Sequence, residues 1–202
     1  RTLFYTVEEE STKRQYRLLH HRLGTSAHEL VYEEADPAFN VGVYRTRSRL
    51  YLVLGICSLT TSEARFLPAA EPRGAWRLVA PRVSEQEYDV EHHGDVFYIR
   101  VNDRGRNFRL AMAPVASPGR DGWTEVVPHR PEVMLEGVDC FRDHLVRFER
   151  ENGLPQVSVT DLRTGAAHRI AFPEAAYTAA PDANLEFDCR TFRYRYQSLV
   201  TP

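Results

Sequence analysis

The sequence predicts an all-β protein made of a repeated unit of four short strands. Apolar or aromatic strand starts recur every 46 to 49 residues, at Leu3, Leu50, Val96, Leu145 and Phe192. Another strand start follows the first four of these after 12 or 13 residues, at Tyr16, Glu63, Phe108 and Val157. A repeat in the forties with four strands per repeat is typical of β-propeller blades. We therefore predict a β-propeller fragment of about four to five antiparallel four-stranded blades, some of them incomplete.

The clearest unit is residues 40–81, where four strands are predicted at 40–46, 50–58, 61–67 and 76–80. Turn-forming residues such as Ser48 and Gly74 separate these strands. The second strand contains LYLVLGI, which is apolar on both faces, as is typical of a strand sandwiched between neighbouring sheets. No part of the chain keeps a helical spacing of apolar residues over twelve residues, so we expect no regular helices.

The whole chain is predicted to be one partial propeller domain, with blades at residues 1–36, 37–82, 83–129, 130–174 and 183–202. The first blade lacks its first strand. The last blade has only two strands, at residues 184–188 and from Phe192 onward, and an Ala/Pro linker is predicted before it at residues 175–183. Because the chain opens and stops in the middle of a blade, we expect an open arc cut from a longer propeller. Its raw blade edges would favour self-association.

The composition is that of an ordinary globular protein, with 43% hydrophobic and 27% charged residues. A formal net charge of −2 provides no basic excess to hold nucleic acid or an anionic membrane surface. No apolar run reaches the ~18 residues of a membrane-spanning helix. Cys57, Cys140 and Cys189 are an odd number of cysteines without metal-like spacing, which favours reduced, buried thiols in a cytoplasmic protein.

Motifs that carry catalysis or cofactor binding are missing from the sequence. It has no nucleophile elbow (G-x-S-x-G), no P-loop and no G-x-G-x-x-G segment. Neither His20-His21 nor His92-His93 can chelate one metal alone, because adjacent residues of a strand point to opposite faces. A surface or turn position is expected for both pairs. We therefore predict no catalytic residue, no cofactor site and no metal site in this chain.

Three acidic residues are the candidate site residues. Glu136, Asp139 and Asp143 flank a predicted first strand, and first strands surround the central channel of a propeller. They are candidates for lining that channel, and the alternative is an ordinary solvated position. The runs Glu8-Glu9-Glu10 and Glu33-Glu34 also have two interpretations, as solvated hairpin tips or as an acidic rim that attracts basic peptides.

Several segments resemble one known family in the same order along the chain. They are HRLGTSAHELVYEE, DPAFNVGVYRTRSRLYLVL, TTSEARFL, VFYIRVNDRGRNFRL, VMLEGVDCFRDHLVRFERENGLPQVSVTDLRTG and YQSLVTP. These segments resemble the β-propeller of the prolyl oligopeptidase family, and within it the oligopeptidase B (protease II) type. The resemblance spans essentially the whole chain and does not rest on one motif.

The resemblance implies that the chain is the non-catalytic part of a peptidase. Members of this family are serine peptidases in which a seven-bladed propeller caps an α/β-hydrolase domain. Oligopeptidase B-like members cleave short peptides after Arg or Lys, and the propeller acts as a gate and size filter. The catalytic triad lies in the hydrolase domain, beyond the last residue of this chain, so no catalytic residue is carried over. The fragment alone is expected to be inactive.

The partners implied by the resemblance are this hydrolase domain and short basic peptide substrates, with no nucleic acid and no membrane. One alternative is a stand-alone propeller module that binds a protein partner across its face. Another is a propeller-type carbohydrate-active enzyme, which requires a pair of carboxylates in the central cleft.

Overall fold

The computed structural model describes residues 1–201 and confirms the all-β prediction. Seventeen strands form its regular structure, and a 3-10 turn at Arg120–Gly122 is the one helical element among these residues. The strands form five open antiparallel sheets and not one barrel. The chain divides into two compact units, Arg1–Asp89 and Val90–Pro202. Within the described part of the chain, no helix is long and apolar enough to cross a membrane.

The first unit contains two sheets. The first sheet consists, in order, of β1 (Thr2–Glu8), β2 (Gln15–Arg22) and β3 (His28–Glu33). The second sheet consists, in order, of β4 (Asn40–Arg45), β5 (Tyr51–Cys57), β6 (Ser62–Pro68) and β7 (Arg77–Ala80). The strands of the second sheet lie within one residue of their predicted bounds, because apolar runs and turn residues mark them locally in the sequence.

The two sheets of the first unit pack face to face. Leu54 and Ile56, on one face of β5, belong to a core cluster with Leu18 of β2, and all three side chains are fully buried. On the other face of β5, Val53 lies opposite Phe66 of β6, and both are also fully buried. Burying one such side chain contributes roughly 1.5–3 kcal/mol. A strand that is apolar on both faces is therefore stable only where both faces are covered.

A buried ion network joins the same two sheets. Glu34, which follows β3 and is 5% exposed, accepts hydrogen bonds from Arg82 Nη2 (2.7 Å) and from the Tyr32 hydroxyl (2.8 Å). Arg82 Nε also lies 3.5 Å from Glu63 Oε2 on β6, and its guanidinium stacks 4.1 Å above the Phe39 ring. The pKa of Tyr32 is raised to about 12, mainly by burial and secondly by the hydrogen bond to Glu34, so the phenol remains protonated and donates at neutral pH.

The second unit begins inside a strand and completes three more sheets. The third sheet consists of β8 (Tyr88–His93), β9 (Val96–Val101), β10 (Arg109–Pro114) and β11 (Thr124–Val127). The fourth sheet consists of β12 (Val133–Cys140), β13 (His144–Glu151), β14 (Leu154–Asp161) and β15 (Ala167–Arg169). The last sheet pairs β16 (Tyr177–Pro181) with β17 (Tyr194–Ser198).

Two apolar clusters cover the two faces of the fourth sheet. On one face, Leu135 and Leu145 pack in a cluster with Leu110 of the third sheet. On the other face, Val146 packs in a cluster that includes Phe192, close to the two-stranded sheet. Because adjacent residues of β13 point to opposite faces, Leu145 and Val146 join different clusters. The fourth sheet is thus covered on both faces, as expected for a sheet whose second strand, β13, carries apolar residues on both sides.

Two predictions for the last part of the chain are wrong. The linker predicted at residues 175–183 instead contains β16, and the Tyr177 hydroxyl on this strand donates a hydrogen bond to a backbone carbonyl of β14 at 2.9 Å. The strand predicted at residues 184–188 is a loop. Asn184 closes that loop, because its side chain bonds both the N–H and the carbonyl of Arg193 at 2.8 Å. A short side chain that bonds nearby backbone competes with a strand ladder.

The Glu34 network predicts that acid weakens the fold. Burial opposes the ionisation of Glu34, but the hydrogen bonds from Arg82, the Asp36 N–H and Tyr32 outweigh it and lower the pKa of Glu34. The folded state therefore binds fewer protons than the unfolded state. This stabilisation is complete above the ordinary pKa of a glutamate and is lost as the pH falls through the lowered pKa.

We expect Glu34→Gln to lower the free energy of unfolding by about 2 kcal/mol at pH 7, because it removes the buried carboxylate that pairs with the half-buried Arg82 and leaves only Glu63 to balance that charge. The variant should also lose part of the pH dependence of stability, and urea unfolding at a series of pH values from 7 to ~3 measures both effects. Glu71→Gln, in the exposed loop before β7, is the control and should change neither. If acid lowers the free energy of unfolding equally in the wild type and in Glu34→Gln, Glu34 is not responsible for the pH dependence of stability.

Candidate functional site

The candidate residues Glu136 and Asp139 lie on β12, an edge strand of the fourth sheet. The ladder between β12 and β13 has a bulge between Leu135 and Gly137, so Glu136 is the extra residue at a bend in the strand. Its Oε1 accepts a hydrogen bond from Arg150 Nε at 2.6 Å, and both side chains are at least one-third exposed. An exposed pair of this kind adds little stability, so Glu136 can exchange Arg150 for another cation without loss to the fold.

Asp143 occupies the turn between β12 and β13 and borders a cavity of about 710 Å³ in the second unit. The charged and titratable residues around this cavity are Asp143, His144, Asp161, Arg163, His168 and Arg190. Asp139 is half-buried and lies opposite Val146 in the ladder. Neither Glu136 nor Asp139 lines the cavity. Of the three candidates, the structure brings only Asp143 to it.

The side chains around this cavity suit binding better than catalysis. Asp161 accepts hydrogen bonds from the N–H groups of Arg163 (2.8 Å) and Thr164 (3.0 Å), and these bonds lower its pKa. His144 stacks on Phe141 with the ring centroids 4.5 Å apart, and burial lowers its pKa, so the imidazole is neutral at pH 7. Its Nε2 is buried and has no hydrogen-bond partner within the described residues. A histidine without a hydroxyl or thiol on that nitrogen does not activate a nucleophile.

A buried carboxylate that sequence analysis missed lies on β13. Glu149 is 1% exposed and accepts hydrogen bonds from Arg130 Nη2 and from Ser158 Oγ (3.0 Å). The guanidinium groups of Arg147 and Arg169 approach its carboxylate oxygens at 3.6 and 3.8 Å. Burial lowers the pKa of Arg147, and the Glu149 charge opposes this effect. These residues lie on β13, β14, β15 and the segment between β11 and β12. They are far apart in the sequence, so no local motif indicates the cluster.

The expectations for histidine and cysteine positions are partly wrong. His92 is buried and packs edge-on against Phe97, because it points inward with Val90 on the same side of β8. Burial lowers the pKa of His92.

Cys57 is exposed at the end of β5, whereas Cys140 is buried as predicted. In the part of the chain that the structure describes, no group of three or more His, Cys, Asp or Glu side chains is placed to hold a metal ion.

Comparison with known proteins gives matches along the whole chain. A family model described as the prolyl oligopeptidase N-terminal beta-propeller domain matches residues 1–202. "Dipeptidyl aminopeptidase BI" of Pseudoxanthomonas mexicana is 37% identical over 205 residues, which cover 100% of this chain and 28% of that protein. "Protease 2" of Moraxella lacunata is 32% identical over 202 residues, which cover 99% of this chain and 29% of that protein.

A solved structure has the same fold over the same length. Oligopeptidase B from Trypanosoma brucei, with covalently bound antipain in its closed form, superposes with a TM-score of 0.91 at 28% sequence identity. The match covers 100% of this chain and 30% of that chain. This chain therefore spans less than a third of the length of the relatives it matches.

Removing the Glu149 charge is expected to destabilise the fold strongly. Glu149→Gln leaves the three surrounding arginines without their common counter-charge at a buried site, and breaking a buried ion pair costs about 3–5 kcal/mol. Glu136→Gln, which removes the exposed partner of Arg150, is the matched control and should cost about 0–1 kcal/mol. Urea unfolding of the two variants at pH 7 measures the difference. Equal losses would contradict a buried electrostatic role for Glu149.

Proposed function

Because this chain belongs to the prolyl oligopeptidase family and corresponds to its N-terminal β-propeller domain, we propose that it is the non-catalytic propeller segment of a serine oligopeptidase. The observation that carries the proposal is the family match over residues 1–202, and the relatives named as peptidases support it. The catalytic α/β-hydrolase domain would belong to the same polypeptide, outside this chain. In this proposal the five sheets are blades, and the boundaries of the first four lie near those predicted from the repeat.

Physical exclusion is the proposed contribution of this segment to catalysis. Sheets that bury both faces, as at Leu54 in the first unit and at Val146 in the second, are closely packed and leave no path for a polypeptide through the packed layers. In this proposal such sheets form a wall around the catalytic centre. Substrates would then reach a catalytic centre behind the wall only through a narrow channel or an opening between domains. Short peptides would pass and folded proteins would not. Opening and closing of the propeller against the catalytic domain would gate turnover.

The proposed substrates are short peptides that are cleaved after Arg or Lys. The names of two matched proteins, Protease 2 and oligopeptidase B, support a peptidase that acts on short peptides, and the preference for Arg or Lys follows from the family resemblance of the sequence. On this proposal Glu136, Asp139 and Asp143 line the channel, where carboxylates would raise the local concentration of cationic peptides. The three cysteines are free thiols, which supports a cytoplasmic location.

This chain alone is expected to hydrolyse nothing, whereas the full-length polypeptide that contains it should cleave a chromogenic peptide after Arg or Lys. The assay compares Arg, Lys and Pro peptides with and without a serine-reactive inhibitor. We expect cleavage after Arg to be at least about ten-fold faster than cleavage after Pro, as a site built for a charged side chain rejects an uncharged one. Inhibitor-sensitive turnover by this chain alone would contradict its non-catalytic role. Faster cleavage after Pro would contradict the basic specificity.

Neutralising the candidate acids should weaken the use of basic peptides selectively. In the full-length polypeptide, Asp139→Asn combined with Asp143→Asn is expected to raise KM for an Arg-rich peptide about three- to ten-fold, with kcat unchanged, because each half-buried charge contributes about 0.5 kcal/mol. High salt should shrink the difference. Asp121→Asn, exposed in the 3-10 turn, is the matched control and should leave KM unchanged. If KM rises equally for a neutral peptide, these residues do not recognise the positive charge of the substrate.

A further inference from the structure

Two turns at one end of the fourth sheet bring two carboxylates to the cavity of the second unit. Asp143 lies in the turn between β12 and β13, and Asp161 is the last residue of β14. The Leu162 N–H donates to the Asp143 carbonyl at 2.9 Å and so joins the two turns. His144, next to Asp143, is the ladder partner of Asp161. The cavity therefore has an acidic wall, formed by Asp143 and Asp161, on backbone that is held in place.

Both carboxylates of the acidic wall are available to a ligand. Asp161 uses Oδ1 for the N–H groups of Arg163 and Thr164, and its Oδ2 lies 3.7 Å from the exposed Arg163 Nη2. An exposed ion pair of this kind adds little stability, so a cationic ligand can replace it. Among the residues that the structure describes, none forms a hydrogen bond or ion pair with the Asp143 carboxylate.

The connection between β16 and β17 forms another wall of the cavity. This connection, residues 182–193, is long beside the segments 94–95 and 141–143 that join the first two strands of the third and fourth sheets. We call it the cavity loop, and it contributes Arg190 and Phe192 to the lining. The Arg190 guanidinium has no hydrogen bond or ion pair within residues 1–201. The cavity loop thus presents a positive charge without a counter-charge.

Hydrogen bonds hold the cavity loop in one conformation. The buried Asn184 closes its base by bonding the N–H and the carbonyl of Arg193 at 2.8 Å. The Arg142 N–H, in the turn between β12 and β13, donates to the Phe187 carbonyl at 2.9 Å, and Arg142 Nη2 lies 2.7 Å from Asp188 Oδ2. Because these bonds exist before any ligand arrives, a ligand that contacts the loop loses little free energy to ordering it.

The cavity combines charges of both signs with an apolar lining. Val159, Ala166 and Phe192 supply apolar surface, and the formal charges of Arg163 and Arg190 cancel those of the acidic wall. A site of this kind favours a ligand that carries a cation and an anion over a simple ion. Guanidinium groups pair with carboxylates through two parallel hydrogen bonds. The volume of about 710 Å³ is that of a pocket for a drug-sized ligand, which corresponds to a few residues of peptide.

We propose that this cavity binds a short peptide that ends in Arg or Lys with a free carboxylate. The terminal carboxylate pairs with Arg190, and the basic side chain pairs with Asp143 and Asp161. This inference rests on the proposed function, because cleavage after a basic residue produces such a peptide at every turnover. Hydrolysis breaks the C–N bond, and water gives its oxygen to the new carboxylate and a proton to the leaving amine. The uncleaved substrate has an amide at this position, so Arg190 distinguishes product from substrate.

The experiment uses the full-length polypeptide after its catalytic serine has been blocked with an organophosphate, so that binding at the catalytic centre does not contribute. Isothermal titration calorimetry compares acetyl-Gly-Gly-Arg with its C-terminal amide. We expect the amide to bind about ten-fold more weakly, because it loses the charge-assisted hydrogen bonds to Arg190. Arg190→Gln should bind the acid and the amide equally. Arg73→Gln, exposed in the connection between β6 and β7, is the matched control and should behave as wild type.

A second comparison tests the acidic wall. Replacing the arginine of the probe by norleucine keeps the carboxylate and removes the cation, so we expect about ten-fold weaker binding to the wild type. Asp143→Asn should weaken binding of the arginine probe and leave binding of the norleucine probe unchanged. Circular dichroism checks that each variant keeps its fold, as expected for exposed or half-buried positions.

Four results would overturn the inference. They are equal affinity for the acid and the amide, no saturable binding to the blocked wild type, equal losses in Arg190→Gln and Arg73→Gln, and equal effects of Asp143→Asn on both probes. Calorimetry does not depend on turnover. A polypeptide that cleaves after Arg but does not bind the acid contradicts this inference alone. A polypeptide that binds the acid but does not cleave after Arg contradicts the proposed function alone.

Discussion

The second and fourth sheets of this protein depend on neighbouring structure to cover both of their faces. The middle strands show why, because Leu54 and Val53 are adjacent on β5, point in opposite directions and are both fully buried. Leu145 and Val146 on β13 repeat the arrangement in the second unit, each in a different apolar cluster. A four-stranded sheet with two apolar faces cannot be stable in water by itself. The four-strand pattern therefore repeats along the sequence, because each sheet needs neighbouring sheets on its faces and in turn covers a face of each neighbour.

Buried ion networks add a second constraint at these contacts. In the first unit Glu34 is held by Arg82, which follows the last strand of the second sheet, and in the second unit Glu149 is held by Arg130, which follows the last strand of the third sheet. The two arginines thus have corresponding places in successive repeats. A buried carboxylate is tolerated only where its partners are positioned well, because desolvation is otherwise unfavourable. Such pairs favour one arrangement of neighbouring sheets over slipped alternatives.

The candidate functional residues lie at strand ends and edges and not in the packed interior. Glu136 is at a bulge on an edge strand, and Asp143 is in a turn beside a cavity. The buried interior is occupied by packed side chains, so a substrate or another domain can meet only exposed positions such as these. This division agrees with the proposal that the propeller restricts access while a second domain of the same polypeptide carries the chemistry.

The sequence by itself determined the strand pattern and the absence of catalytic motifs. The strands of the second sheet were placed within one residue, because alternation and turn residues are local signals that neighbouring residues carry. The candidate acids Glu136, Asp139 and Asp143 were also found from local position, but only the structure separated Asp143, at the cavity, from the other two.

Only the tertiary structure decided which polar groups are buried and where the irregular segments pair. The cluster at Glu149, the burial of His92 and the pairing of β16 inside an Ala/Pro stretch depend on partners from distant parts of the chain. The local spacing of apolar residues does not show which distant side chain will face a given residue. For Glu149, His92 and β16, contact with distant residues determines whether they are buried and how they pair.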